Sequence, residues 1–181
     1  MQRTRVRAGF TLVELMIAIG IIGMLCAVAI PALASMVKRS KTAEVTANLN
    51  AMFKQAASYY AAERSAQGQS SGVVGHCTVE DAGPSPATPG KEKQSFEADT
   101  SYRALGFHIA DQVYFSYAIA SGNGGLGRCG SAPNTAGLYT FHAHGDLDGN
   151  NARSTFELAA GSNESNVLYH AVSFHIDHET E

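Results

Sequence analysis

Glu14 is the first residue in this sequence whose type and place demand a chemical explanation. It stands near the start of a run of apolar residues that continues to Val37. A carboxylate at the centre of a bilayer helix costs roughly 2.5–3.5 kcal/mol on insertion scales, less toward the interface, so it needs a partner. Cleavage after Gly9 would create one, a positive α-amino group on Phe10. A second grouping is Asp146-Leu-Asp-Gly-Asn-Asn-Ala-Arg-Ser-Thr-Phe-Glu157. Oxygen donors at Asp146, Asp148 and Asn150, with Glu157 in twelfth place, follow the spacing of a calcium loop. Asn151 replaces the glycine of that pattern and strand-like sequence flanks it, so a hairpin turn made of Asp, Gly and Asn competes with calcium. Cys77 and Cys129 lie in Gly-His-Cys-Thr and Gly-Arg-Cys-Gly segments, outside the apolar run that holds Cys26. An even pair in an exported domain reads as a disulfide, with free thiols or metal ligands as the alternative. His142 and His144 share one strand face, with His170 as a candidate neighbour. Paired imidazoles suit a transition metal, and solvated polar positions explain them equally well. No Ser/His/Asp or Cys/His arrangement, phosphate-binding glycine loop or Gly-x-Ser-x-Gly elbow is present, so no enzyme is expected.

These residues need elements to position them. Leu15 to Val37 carries no charge, and its 23 residues would span ~34 Å as a helix, enough for a bilayer core. Ala18, Gly20, Gly23, Ala27 and Ala34 would let another helix approach closely. Pro31 favours a kink. Lys38-Arg39-Ser40-Lys41 then ends the span and suits lipid headgroups. Beyond it Val45, Leu49, Met52, Phe53, Ala56 and Tyr60 form an apolar stripe at helical period, which predicts one helix from about Phe10 to Arg64. Residues 65–100 collect Gly, Ser and Pro and lose periodicity, the pattern of a long surface loop. Alternation then predicts strands over 113–120, 138–144, 154–158 and 167–176. Their inward faces would be Val113, Phe115, Tyr117 and Ile119; Tyr139, Phe141 and Ala143; Phe156 and Leu158; and Leu168, Val172, Phe174 and Ile176. The expected fold is α+β, a long N-terminal helix on a four-stranded antiparallel sheet.

Gly9-Phe10-Thr11-Leu12-Val13-Glu14, preceded by Arg3, Arg5 and Arg7 and followed by some twenty apolar residues, resembles the processing site of type IV prepilins and their pilin-like relatives. The resemblance covers about the first 37 residues. It implies a pilin-like roll, with residues 1–9 as a leader and 10–37 as the transmembrane and assembly half of the helix. Residues 38–181 would then be the headgroup: helix to 64, loop 65–100 and sheet region 101–181. It further implies cleavage between Gly9 and Phe10 by a prepilin peptidase, N-methylation of Phe10, and pairing of Glu14 with the Phe10 amine of a neighbouring subunit. The stretch from Gly23 to Pro31 would loosen in the assembled fibre. Implied partners are copies of the same chain in a filament, the peptidase, the inner-membrane assembly machinery and, before assembly, the membrane itself. The precursor would sit in the inner membrane and the product at the cell surface, serving adhesion, motility or DNA uptake.

Two other readings stand beside this one. A pseudopilin of a type II secretion system shares the motif. A secreted calcium-binding β domain would use the basic start, the apolar run and Ala32-Leu33-Ala34 before Ser35 as a conventional signal. The formal net charge is −3, and removing residues 1–9 with their three arginines takes it to −6. That does not suit binding to intracellular nucleic acid. No cofactor is expected, with calcium at the Asp146 loop the one candidate.

Overall fold

The long N-terminal helix starts where the sequence first offers a cap. The computed structural model describes residues 9–62, 64–65, 73–122 and 124–179. Residues 1–8 of the expected leader 1–9, Glu63, the glycine- and serine-rich tract at 66–72, Asn123 and residues 180–181 lie outside the described residues. Helix α1 runs Leu12–Ala61. Thr11 caps it, and no Gly or Pro interrupts the sequence between Pro31 and Ala61. It is shorter than the expected 10–64 at both ends: Thr11 takes the capping position, and Arg64 pairs with Val74 in a small ladder of β1 (Arg64–Ser65) and β2 (Val73–Val74). The chain divides into two compact units, Met1–Val37 and Lys38–Glu181.

In the second unit, α1 buries Thr42, Val45, Leu49, Met52, Ala56 and Tyr60, with Phe53 packed partly beside them. That is the stripe expected from the sequence. Its steps of three and four keep one face continuous, and this face meets a six-stranded antiparallel sheet. The strands are β3 (Ala82–Ser85), β4 (Ser116–Ser121), β5 (Tyr139–Gly145), β6 (Ser154–Ser162), β7 (Leu168–His170) and β8 (His175–Asp177). Their order is β3-β4-β5-β6-β7, and β8 pairs with β6 further along the β7 edge. The inward residues Val113, Phe115, Tyr117, Ile119, Tyr139, Phe141, Ala143, Phe156 and Leu158 are all buried. Polar bonds fasten the helix to the sheet. Asn48 Nδ2 donates to the Tyr117 hydroxyl at 2.8 Å, which donates in turn to Glu44 Oε1 at 3.0 Å. Near the other end of this face the Tyr60 hydroxyl donates to Asn166 Oδ1 at 2.8 Å.

Six strands replace the expected four for two reasons. Strand β3 is Ala-Gly-Pro-Ser, which shows no alternation, yet it adds to β4 as an edge, where the missing N–H of Pro84 costs no ladder bond. The run 167–176 is not one strand. Its pairing with β6 passes from Ala160↔His170 to Glu157↔His175, so the segment 171–174 bulges out between two short pieces. Leu168 consequently reaches the core, whereas Val172 is fully exposed and Ile176 half-exposed.

Helix α2 (Thr100–Leu105) is absent from the sequence expectation, although its signals are local. Asp99 Oδ1 accepts from the Ser101 and Tyr102 amides at 2.9 and 3.0 Å, and Gly106 ends the helix at φ 74°. An acidic N-cap and a left-handed glycine are the usual start and stop marks. The stretch 65–100 is not simply surface loop either. Cys77, Val79, Ala82 and Phe96 are buried, and the Phe96 ring packs edge-on against Tyr102 and Phe107.

Cys77 and Cys129 form the expected disulfide, with an S–S distance of 2.01 Å. Around it Thr78 and Arg128 exchange bonds: the Thr78 amide donates to Arg128 O at 2.7 Å and the Arg128 amide to Thr78 Oγ1 at 3.1 Å. The Val79 amide donates to the buried Tyr139 hydroxyl at 2.8 Å, tying this segment to the sheet.

Candidate functional site

At the N-terminus, Glu14 has a partner that the sequence reading overlooked. The Thr11 amide and the Thr11 hydroxyl both donate to Glu14 Oε2, at 2.9 and 2.8 Å. The Glu14 amide in turn reaches Thr11 Oγ1 at 3.2 Å. This is a capping box: Thr-x-x-Glu at the helix start satisfies donors that would otherwise be orphaned, and the carboxylate lies at the positive end of the helix dipole. The signal was present in the sequence as Thr11-Leu-Val-Glu14 but is easily hidden by the neighbouring Gly9-Phe10. Phe10 precedes the helix with an exposed side chain, and its nitrogen is here an ordinary peptide amide joined to Gly9.

Between Leu12 and Val37 the large apolar side chains are exposed in the single chain, and the segment is long and apolar enough to cross a membrane. Helix α1 continues through both Gly23 and Pro31. A Cβ built at Gly20 or Gly23 meets nothing within 4 Å. The space these glycines leave is therefore unused by the chain's own fold.

The Asp146 loop is assembled as a turn. Asp146 Oδ1 accepts from the Gly149 and Asn150 amides at 2.7 and 3.2 Å, and Oδ2 accepts from the Asn151 amide at 3.2 Å. Asp148 Oδ1 accepts from the Asn150 amide at 3.2 Å, while its Oδ2 pairs with Lys38 Nζ at 3.1 Å. Asn150 Oδ1 accepts from the Ala152 amide. Asn151 holds a left-handed backbone at φ 68°, which asparagine tolerates. The fourth member of the expected calcium set is elsewhere: Glu157 lies inside β6 opposite His142, and its Oε1 is 3.2 Å from His142 Nδ1. Period-two alternation with Phe156 inward turns Glu157 to the outer face, away from the loop. Among the described residues, no three His, Cys, Asp or Glu side chains are grouped to hold a metal ion.

His142 and His144 do share a face, but His170 does not join them. Its register partner is Ala160, on the helix-facing side, and its ring packs edge-on against Phe53 at 4.5 Å. The neighbour the sequence reading missed is His175, which lies across Glu157 from His142.

Residues 4–30 match the family described as a prokaryotic N-terminal methylation motif. The chain is also similar to the type IV major pilin protein PilA of Myxococcus xanthus (strain DK1622), 46% identical over 52 residues. That similarity covers 29% of this chain and spans 24% of the length of PilA. No solved structure matches. The motif and the similar segment support the type IV pilin family, to whose N-terminal segment this one is similar.

Proposed function

We propose that the chain is a structural subunit of a type IV pilus-like filament, made as an inner-membrane precursor and assembled at the cell surface. The observation that carries this reading is Gly9-Phe10-Thr11-Leu12-Val13-Glu14, matched by the methylation-motif family, at the head of an exposed apolar helix of membrane-spanning length. A prepilin peptidase cuts after Gly9 and the Phe10 nitrogen is methylated. The new amine carries a positive charge, and in the apolar core of a fibre it is attracted to Glu14 of an adjacent copy. That attraction sets axial register while the apolar helix faces supply the cohesion. Gly23 and Pro31 are where α1 loosens on packing: glycine has the weakest helical preference after proline, and Pro31 leaves the Ala27 carbonyl without its amide donor. The headgroup, stapled by Cys77–Cys129, stays outside the helical core and presents the surface used in adhesion, motility or DNA uptake. No catalytic step is assigned to the chain.

The test is the N-terminus of the mature protein. Mass spectrometry of sheared surface filaments should give N-methylated Phe10. A mature chain beginning at Ser35 would instead mean a conventional signal peptide, and the filament reading would fall.

A further inference from the structure

We propose that His142 and His144 form a two-imidazole site for one divalent transition-metal ion of the zinc, nickel or copper class, on the sheet face opposite the helix. Strand β5 alternates buried and half-buried residues, so Tyr139, Phe141 and Ala143 enter the core while His142 and His144 stand together on the outer side. Their rings are nearly parallel, 13° apart, with centroids 6.2 Å from each other. Residues two apart on a strand are spaced about 6.8 Å, so the rings already lean slightly together.

Each ring is held by a neighbour on β6 through the same nitrogen. His142 Nδ1 faces Glu157 Oε1 at 3.2 Å, and His144 Nδ1 faces Thr155 Oγ1 at 3.1 Å. A ring whose Nδ1–H is given to a carboxylate presents a basic, correctly oriented Nε2 to a metal, the arrangement common behind histidine ligands. Glu157 is thus a positioning residue here rather than the calcium ligand its spacing suggested.

Two imidazole nitrogens on one ion lie roughly 3–4 Å apart, given metal–nitrogen bonds of about 2.0–2.1 Å. The two rings must therefore tilt toward each other to bring their Nε2 atoms together, which side-chain torsions permit without moving the strand. His175 and Asp177 lie in the same two cross-strand rows but one strand further on, about 10 Å from His142 and His144, so water completes the coordination. Imidazole pairs favour copper, nickel and zinc over calcium or magnesium, which prefer oxygen.

Zinc titration of the full chain in detergent, followed by calorimetry, tests this, with copper paramagnetic resonance counting the bound nitrogens. One ion per chain is expected, with two nitrogen ligands. His142→Gln and His144→Gln, which keep polarity on the outer face, should each weaken binding at least about tenfold, and Glu157→Gln about tenfold through lost orientation. His170→Gln and His175→Gln should leave the affinity unchanged. Thermal melts of the metal-free variants separate loss of the site from loss of the fold. No zinc binding by the intact chain overturns the site. So does unchanged affinity in both strand variants, or loss of affinity in His175→Gln.

Discussion

Glu14 caps its own helix at the residue scale, and a single substitution distinguishes that role from the proposed pairing with a neighbour's amine. As a helix cap it needs only an acceptor oxygen, which glutamine also provides; as the partner of a neighbour's amine it needs its charge. Glu14→Gln is therefore expected to insert in the membrane and fold normally but to depress filament yield as strongly as Glu14→Ala. Normal yield of sheared filaments from the glutamine variant would leave Glu14 as a cap alone. A different carboxylate, Glu44, links α1 to the sheet. Burial pushes its carboxyl up, against the opposing pull of the Tyr117 hydroxyl, the Tyr114 amide and Lys93. A carboxyl raised in the fold contributes most below its unfolded value near 4.5, and that contribution is lost as pH rises through the folded value. Glu44→Gln, which stays neutral, should thus gain stability relative to the parent chain as pH is taken from acid to neutral. Denaturation midpoints of the two chains across that range check the sign.

At the scale of elements, the second half of α1 is fixed by its stripe. Leu49 is fully buried between the helix and the sheet. Leu49→Ala should cost about 2–5 kcal/mol, since a buried leucine loses both its transfer energy and the packing of its neighbours. The change should appear as a lowered thermal midpoint of the headgroup, whereas Lys54→Ala on the exposed side should be nearly silent. The stripe was readable because helical period and burial agree from Val45 to Tyr60. Strands β4, β5 and β6 were readable for the equivalent reason, at period two. Strand β3 and the break between β7 and β8 were not, because each depends on pairing with a strand already in place. The small helix Thr100–Leu105 had its caps in the sequence, but six residues show too little periodicity to stand out. The disulfide was readable from cysteine count and context; closing a loop of 52 residues stabilises the fold by about 4 kcal/mol on the chain-entropy model.

For the whole molecule, the two units meet different requirements. The headgroup satisfies its own apolar surface, with helix, sheet and α2 enclosing one core. The first unit does not: among its described residues the large apolar side chains stay exposed, and a Cβ at Gly20 or Gly23 would meet nothing within 4 Å. Gly20→Leu and Gly23→Leu should therefore leave the melting of the single chain in detergent unchanged while reducing filament yield. An equal loss of chain stability would mean that these glycines serve the fold instead. What the sequence determined by itself was the Gly9–Glu14 pattern that resembles a prepilin start, the span-length apolar run, the helix stripe, three strands and the cysteine pair. All rest on composition, short spacing or periodicity, which act locally along the chain. Only the tertiary structure decided that Glu157, which alternation already turns from the Asp146 loop, meets His142, that Lys38 holds Asp148, and that His170 packs on Phe53 while His175 shares the row of His142. Those outcomes depend on strand register, and register is set by which faces can be buried together rather than by any one segment.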